Sequence, residues 1–408
     1  MNFLTKDTLT MKHNLSSLCK VPLLALCAIA CGSDEDKTEL TELPSTTSDA
    51  VEAYAEIVHA SYSDSLSSAQ ALDSAIDSFL ATPSQAGLEA ARTAWKASRE
   101  PYLQTEVFRF YEGPIDNADD GPEGLINAWP LDEEYIDYVV GVGDAGMVND
   151  PGMTIDKDAI VGANEGESEK SISTGYHAIE FLLWGQDLNE DGPGNRPYTD
   201  YVTDGTGTAE NQVRRGQYLA VVSDLLVENL ESLVDAWAPN DPNNYRAQFL
   251  TEDPAVALGQ LMSGMIILSG FETGGERLQA ALDSGDQEEE HSCFSDNTHR
   301  DMVQDVQGIQ NVWLGNYELL DGTSISGPGI RNVIASGDAA LADQLTTRIS
   351  ESLDLANALQ PPFDREIAPE NREGRERVRA LVLSLADQAD LLEQAFALYG
   401  LTRIPDPE

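Results

Sequence analysis

The sequence predicts an all-α protein of two tandem, four-helix-bundle-like domains that pack together and carry long functional loops. Apolar residues recur at intervals of three and four along most of the chain, which is the period of an amphipathic helix. No run of strand length alternates between apolar and polar residues. The length of 408 residues also exceeds what one hydrophobic core usually organises, which favours two domains.

Four helices are expected in the first half, over residues 51–79, 84–111, 171–184 and 208–237. Pro101 is expected to kink the second helix rather than end it, because the helical pattern resumes through Phe108 and Tyr111. Segments rich in Gly, Pro and Asp, at 112–131 and 186–201, separate these helices. Loops of that length in a compact domain are usually functional.

A proline-rich segment near residue 240 is the expected boundary between an N-terminal bundle (49–240) and a C-terminal bundle (241–408). In the second bundle, Pro254 suits the first turn of a helix. A loop is expected at 284–297, and helices follow over 298–320, 338–358 and 370–400.

The N-terminus resembles a bacterial lipoprotein signal. An apolar run at 21–30 follows two lysines and is long enough for a signal peptide but too short to span a bilayer. It leads into AIAC, which resembles a lipobox, so we expect residues 1–31 to be a signal peptide with lipidation at Cys31. Residues 32–48 are polar and acidic and suit a flexible tether. Cleavage after Ala30 without lipidation is the alternative.

The lipobox resemblance implies a bacterial cell envelope as the location. Because Gly32 rather than Asp follows the cysteine, it implies an outer-membrane lipoprotein that faces the periplasm or the cell surface. The membrane is then a partner through the lipid anchor. Of the four cysteines, Cys293 alone lies beyond this signal, so no intrachain disulfide is expected.

The charge of the chain excludes one class of partner. With 71 acidic and 24 basic residues, the formal net charge is −47, and neutralising the phosphates of nucleic acid needs Lys and Arg. The ordinary interpretation is a solvated acidic surface. Such a surface also concentrates cations around the protein, so the charge permits a metal-related role without indicating one.

The segment GYHAIEFLLWG carries two residues that can bind metals. His177 and Glu180 are three apart and therefore share one face of the expected helix. Carboxylate and imidazole groups at this spacing bind ions in helical bundles. The neighbours are apolar, so the pair is expected to be partly buried, where a carboxylate needs a partner. A His–Glu pair that is simply hydrogen-bonded inside the bundle is the structural alternative.

A second polar segment, GDQEEEHSCFSDNTHRD (285–301), contains His291 and His299 in a chain with five histidines. His299 follows Asp296 at the same three-residue spacing. Instead of binding a metal, Asp296 could be the N-cap residue of the helix that follows. The glutamates at 288–290 could likewise be a solvated run of charges. Cys293 suits a small buried residue better than a ligand.

The motif GYHAIEFLLWG resembles the Gly-x-His-x-x-Glu signature of the imelysin family, which comprises periplasmic and outer-membrane proteins linked to iron uptake. Similarity to its iron-regulated branch extends to REPYLQTEVFRFYEGPID, GPEGLINAWPLDEEYIDYV, GPGNRPYTDY, GDQEEEHSCFSDNTHRD and the PPFD segment near 361, over roughly residues 95–370. The resemblance implies two packed helical bundles with a site in the crevice between them. It implies three metal ligands: His177, Glu180 and Glu106. Further candidates are Arg99, as a charge partner that orients a carboxylate, and His291, Asp296 and His299.

Binding is the function we favour from the sequence. The protein would capture a metal ion or metal chelate, with iron as the metal and an envelope iron transporter as a partner, because iron accepts mixed imidazole and carboxylate donors. Zinc and calcium are left open as the metal.

A metallopeptidase, the role from which the family was first classified, is the alternative function. Hydrolysis needs an open metal position and a separate general base, and the sequence indicates no residue for that base. The third reading is a crevice for haem or a partner protein, lined by the RPYTDY and NAWPL loops.

The segment DLNEDG, which starts at Asp187, opens like an EF-hand calcium loop. Tyr198 stands at its twelfth position, where a bidentate Glu is needed, so the segment is interpreted as a turn. The chain also lacks the His-Glu-x-x-His motif of zinc proteases.

Overall fold

The computed structural model describes residues 41–189 and 192–402 and confirms the predicted all-α class. The α-helices, in chain order, are α1 (Thr47–Ala81), α2 (Gln85–Leu103), α3 (Glu123–Ile126), α4 (Glu133–Ile136), α5 (Gly146–Asn149), α6 (Lys157–Ala163), α7 (Gly175–Trp184), α8 (Gln212–Trp237), α9 (Tyr245–Phe249), α10 (Pro254–Ile267), α11 (Ala280–Ser284), α12 (Thr298–Leu314), α13 (Ile330–Gly337), α14 (Ala339–Asn357), α15 (Phe363–Ile367) and α16 (Arg372–Leu398). The other elements are 3₁₀ turns at Glu106–Phe108, Tyr198–Tyr201 and Gln287–Glu289, a π-helical segment at Leu268–Gln279, and two strands, β1 (Asn316–Glu318) and β2 (Ser324–Ser326). The signal sequence, Cys31 and the tether up to residue 40 lie outside the described residues.

Helix α1 packs against both α2 and α8, and this group of three helices forms the core of the first half. The apolar stripe explains the packing, since Leu72, Ile76 and Phe79 are fully buried. A short turn separates α1 from α2. The Ser84 hydroxyl accepts a hydrogen bond from the Gly87 N–H at 3.2 Å and so satisfies one of the N–H groups that a helix start leaves unpaired.

Helix α2 includes Pro101 but ends at Leu103, so the prediction that the helix continues through Phe108 and Tyr111 was wrong. The Thr105 hydroxyl donates to the Tyr102 carbonyl at 2.6 Å, and a 3₁₀ turn follows. Phe110 then adopts a left-handed φ of 71° and redirects the chain. The apolar spacing continues through this region, but the backbone hydrogen bonds of an α-helix do not.

Helix α7 begins at Gly175 rather than at residue 171 as predicted. Gly175 has a φ of 79°, and a Cβ there would lie 2.4 Å from the Ile126 carbonyl oxygen, so the position requires glycine. Every residue of α7 is buried, and Gly185 ends it as predicted. Helix α8 also begins later than predicted, after Asn211 in a left-handed conformation with a φ of 60°.

The loops of the first half are anchored by buried charges around Asp137. Arg196, from the 186–201 loop, donates to Asp137 Oδ2 at 2.7 Å, and Arg215 of α8 donates to both carboxylate oxygens at 2.6 and 3.0 Å. All three side chains are buried. Burial alone would raise the pKa of Asp137, but the two guanidinium groups lower it. The ionised cluster therefore ties two loop regions to one long helix.

The apolar helix that Pro254 opens continues through the π-helical segment into α11. In this segment the backbone bonds span five residues, as in the bond from the Ala280 N–H to the Gly275 carbonyl. By length and composition Pro254–Ser284 could cross a membrane, with a mean hydropathy of 1.5, but 67% of its apolar window is buried inside the fold. Helix α16 packs along it. These features are typical of a core helix.

Helix α12 ends at Leu314, so the prediction of a helix to residue 320 was wrong. Gly315 has a φ of 72°, and a Cβ there would lie 2.5 Å from the Gly327 carbonyl oxygen. The chain then forms an antiparallel hairpin of β1 and β2, with Tyr317 opposite Ile325. No strand was predicted, because strands this short leave no visible alternation in the sequence.

The described residues form one compact unit, and its larger apolar cluster includes residues from both predicted bundles, such as Val58 and Leu261. A second apolar cluster lies in the second half and includes Phe363 and Leu381. The boundary near residue 240 stays a prediction. Ahead of α1, the Thr41 N–H donates to the Leu398 carbonyl at 3.2 Å.

Replacing Asp137 by Asn should destabilise the fold by about 3–5 kcal/mol, because two buried guanidinium groups would lose their carboxylate. Urea unfolding measures the change in the free energy of unfolding, and Asp144→Asn, at an exposed aspartate, is the control. Since the pKa of Asp137 is lowered in the fold, its contribution is present above its unfolded pKa and is lost as the pH falls through the folded pKa. Equal stability of the two variants at pH 7 would contradict this account.

Candidate functional site

The predicted pair of His177 and Glu180 lies within α7 and is fully buried. His177 Nδ1 lies 3.0 Å from Glu180 Oε2, and the Ser295 N–H donates to Glu180 Oε1 at 2.9 Å. The three-residue spacing on one helical face brings the pair together. Both carboxylate oxygens thus have partners, whereas His177 Nε2 is buried without a hydrogen-bond partner in the described part of the chain.

Burial controls the charge of this pair. It raises the pKa of Glu180 to about 8 and, together with Arg99, lowers the pKa of His177 well below its usual value. The imidazole is therefore neutral at pH 7, and the Glu180 carboxyl group is mostly protonated at that pH. In the tautomer with the proton on Nδ1, the ring donates to Glu180 and the lone pair of Nε2 stays free. A cation bound at Nε2 would favour the ionised form of Glu180. A carboxylate that orients a histidine in this way is the usual outer partner of a metal-binding imidazole.

A second buried imidazole, His291, lies edge-to-face against His177, with the ring centroids 5.0 Å apart. His291 Nδ1 lies 2.8 Å from Asp301 Oδ2, which also accepts from the Ser292 hydroxyl at 2.5 Å. Burial lowers the pKa of His291 to about 4, so this ring is also neutral. Two neutral imidazoles, each with Nδ1 next to a carboxyl group, therefore meet between α7 and the 284–297 loop.

Arg99 is fully buried and pairs with the carboxylate of Asp301 at 3.2 Å. It also donates to Asn127 Oδ1 at 2.5 Å, and its guanidinium lies 4.9 Å from the Tyr176 ring centroid. Arg99 was predicted to orient a carboxylate, and its carboxylate partner is Asp301, which was not among the predicted site residues. The available signal was the position of Asp301 at the end of the polar segment that holds His291.

Glu106 is also fully buried, between two arginines. Arg109 donates to Glu106 Oε2 at 2.7 Å, and Arg277 forms a closer contact with the same oxygen. Burial alone would raise the pKa of Glu106, but Arg109 and Arg277 lower it. Asn127 Nδ2 lies 3.5 Å from Glu106 Oε1 and 3.5 Å from His291 Nε2. Glu106 is therefore an ionised carboxylate bound by arginines, and the side-chain amide of Asn127 lies between it and His291.

Arg277 and its partners were missed by the sequence analysis, because they depend on the π-helical segment. Arg277 donates to Asp305 Oδ2 at 2.9 Å, and the Thr273 hydroxyl donates to the same oxygen at 3.0 Å. Arg277 also pairs with Glu272, five residues earlier, at 2.9 Å. Residues three or four apart share a face of an α-helix, so a contact between residues five apart reflects the π geometry.

Asp296 and His299 form no hydrogen bond or ion pair with the other predicted ligands within residues 41–189 and 192–402. Asp296 has a left-handed φ of 55°, and Asn297, not Asp296, is the N-cap residue of α12. His299 Nδ1 is buried without a partner in those ranges, and burial lowers its pKa. The role of both residues at the site stays a prediction.

A cavity of about 360 Å³ opens beside His291. The predicted NAWPL loop contributes Trp129 to its lining, and the Trp129 ring centroid lies 4.9 Å from that of His177. The RPYTDY segment packs elsewhere, since the Tyr201 hydroxyl donates to the Leu182 carbonyl at 2.6 Å. Acidic side chains outnumber basic ones in the lining, which includes Glu123, Glu165, Glu272, Glu276 and Glu289 beside Arg109 and Arg277.

In the part of the chain that the structure describes, no three His, Cys, Asp or Glu side chains are grouped so as to hold one metal ion. The structure brings His177 and Glu180 together and places His291 beside them, whereas Glu106 is engaged by arginines. The ligand set of His177, Glu180 and Glu106 stays a prediction. The geometry offers two imidazoles next to a predominantly acidic cavity.

The comparisons with known proteins agree with this fold. Residues 58–392 match the family model described as Imelysin. The iron-regulated protein A of Synechococcus elongatus (strain ATCC 33912 / PCC 7942 / FACHB-805) is 23% identical over 347 residues, which cover 83% of this chain and 82% of that protein.

Two solved structures share the fold. An iron-regulated protein A precursor from Parabacteroides distasonis ATCC 8503 gives a TM-score of 0.67 at 20% identity and covers 89% of this chain and 99% of its own. An imelysin-like protein from Psychrobacter arcticum 273-4 gives a TM-score of 0.63 at 13% identity and covers 90% of this chain and 100% of its own. At these identities the likeness establishes the fold alone. Because the family match extends over most of its length, this chain belongs to the imelysin family.

Proposed function

We propose that this protein binds iron, as an ion or a small chelate, in the crevice between α7 and the 284–297 loop. The observation that carries the proposal is His177 Nε2, a buried nitrogen without a partner in the described residues, on a ring that Glu180 orients through Nδ1. His291 adds a second neutral imidazole beside it. Imidazole suits several transition metals, and the name of the iron-regulated relative supports iron among them.

In this proposal the protein supplies two nitrogen donors and the ligand brings the rest. His177 binds through Nε2 and His291 through the nitrogen that now faces Asn127, while Glu180 orients one of the rings. The adjoining cavity of about 360 Å³ gives room for water or a small chelator. Recruiting Glu106 as a ligand would break its buried pairs with arginine, which is strongly unfavourable.

We further propose that the protein acts in a bacterial envelope as an outer-membrane lipoprotein and passes its iron to an envelope transporter. The support is the sequence pattern of residues 1–31, in which AIAC resembles a lipobox. A lipid anchor would keep the binding crevice close to the membrane where a transporter operates.

Removing the His177 imidazole should abolish iron binding. Metal-stripped full chain is titrated with Fe²⁺ without oxygen and with ferric citrate, and we expect about one iron per chain for the wild type. His177→Ala should lose this iron, and Glu180→Gln should weaken binding roughly 10- to 100-fold because the orienting carboxylate is gone. The control is His59→Ala, at a half-buried histidine of α1 whose charged neighbours are Arg246 and Glu56.

The same samples test the alternatives to iron binding. Cleavage of an unfolded polypeptide that depends on metal and disappears in His177→Ala would make the protein a metallopeptidase. Haem binding that survives in His177→Ala would favour the alternative in which the crevice binds haem and His177 is not a metal ligand. If the wild type holds no iron at micromolar concentrations, the iron proposal fails.

Replacing Cys31 by Ser should move the protein from the membrane fraction to the soluble fraction of cells, because the acyl chains attach to this thiol. Incorporation of labelled palmitate and cell fractionation measure the change. Cys27→Ser, within the same signal, is the control and should stay membrane-bound. A wild-type protein found in the soluble fraction without label would refute lipidation.

A further inference from the structure

Arg196 is buried with most of its hydrogen-bond donors unused. It is 3% exposed, and its Nη1 donates to Asp137 Oδ2 at 2.7 Å and lies 3.5 Å from Asp200 Oδ2. Its Nε is buried without a hydrogen-bond partner among residues 41–189 and 192–402, and its Nη2 donates to no acceptor in those ranges. An unpaired buried donor is destabilising, so its presence in a native fold calls for an explanation.

The two unused nitrogens lie on one edge of the guanidinium, and we call this pair, Nε and Nη2 of Arg196, the open fork. The guanidinium is planar, and parallel N–H groups on one edge match both oxygens of a single carboxylate. Aromatic rings lie against the group, with its central carbon 4.9 Å from the Tyr138 ring centroid and 5.3 Å from that of Phe181. Such contacts leave the in-plane N–H groups free to bind an acceptor.

The carboxylates near the open fork already have other partners. Arg215 donates to both oxygens of Asp137, at 2.6 and 3.0 Å. Asp200 accepts from the Tyr138 hydroxyl at 2.5 Å and from the Thr208 hydroxyl at 2.8 Å. The open fork is therefore available to an acceptor from outside the chain.

A cavity of about 300 Å³ adjoins Arg196, which is the one charged residue among the described residues that line it. This is unusual in a chain with a net charge of −47. Val140 and Leu188, in the lining, are 73% and 64% exposed. Binding sites for small molecules are typically apolar with a few polar groups that fix the orientation of the ligand. The apolar residues of this lining are Val139, Val140, Trp184, Leu188 and Pro197.

The cavity lies where the end of α7 meets two loops. The Val140 N–H donates to the Gln186 side-chain oxygen at 3.2 Å, which joins the two loops. Gly185, which ends α7, has a φ of 71°, and a Cβ there would lie 3.4 Å from Nε of Arg196. Because glycine carries no side chain, the end of α7 leaves the open fork uncovered.

We propose that this cavity binds a small organic carboxylate with a short apolar body. The carboxylate would bind the open fork of Arg196, and the apolar body would pack against Trp184 and Leu188. The overall negative charge of the protein opposes any anion at long range, so the attraction must come from the paired hydrogen bonds of the fork and from apolar contact. The site lies apart from the imidazole crevice, and the proposal goes beyond iron binding.

Titration of the metal-stripped full chain with hexanoate, followed by ligand-detected NMR, tests the proposal. We expect one site with a dissociation constant of about 1 mM or below. Hexanamide has nearly the same shape without the charge, and acetate has the charge without the apolar body, so each should bind roughly tenfold more weakly or worse. N-acetyl-leucine serves as a probe for the carboxylate that ends a peptide chain. Because the chain is metal-stripped, iron cannot contribute to the binding.

Variants of the cavity test which groups bind the probe. Arg196→Lys keeps a positive charge beside Asp137 but lacks the fork, so it should weaken hexanoate binding roughly tenfold or more. Leu188→Ser and Val140→Ser remove exposed apolar side chains and should each weaken it about threefold or more. The matched control is Val213→Ser, at a valine of α8 that is 68% exposed, and it should bind as the wild type does.

Tighter binding of hexanoate or of N-acetyl-leucine supports the proposal and identifies a free acid or a peptide end as the source of the carboxylate. No binding of either probe up to about 10 mM would mean that the open fork is satisfied by solvent alone, and would overturn the proposal. Equal binding of hexanoate and hexanamide, or unchanged binding in Arg196→Lys, would overturn it as well. If Arg196→Lys does not fold, Leu188→Ser and Val140→Ser decide the matter, and unchanged binding in both would refute the site.

Discussion

Buried ion pairs between distant parts of the chain are the constraint on which the rest of this structure depends. Arg99 of α2 pairs with Asp301 of α12, and Glu106 pairs with Arg277 of the π-helical segment. Charges removed from water are stable only while their partners are held in place, so these pairs fix the positions of the helices around the crevice. The apolar core supplies the driving force for packing, and the ion pairs restrict which packing is acceptable.

The same constraint decides which donors the crevice can offer. Carboxylates such as Glu106 and Asp301 are neutralised by arginines, and the positive field of these arginines, added to burial, keeps His177 and His291 uncharged. Nitrogen lone pairs are therefore more available there than carboxylate oxygens.

The helical class and the i,i+3 pair of His177 and Glu180 could be predicted from sequence, because both follow from periodicity along one helix. The charged groups that surround the pair in the crevice could not. Asp301 and Arg277 reach the crevice only through tertiary packing, and the five-residue spacing of Glu272 and Arg277 depends on a helix type that apolar periodicity does not distinguish. Helix ends were misplaced where left-handed residues such as Gly315 redirect the chain.

The π-helical segment makes the crevice sensitive to chain length as well as to side-chain identity. Loss of one residue between Leu268 and Glu272 would leave every charged group of the crevice present in the sequence. It would nevertheless turn the preceding part of the core helix by about 100° relative to Arg277, since each residue of an α-helix advances the chain by that angle. Relatives that differ here by one residue would thus keep the same amino acids while presenting a different face, and an alignment scored on identity alone would not reveal the change.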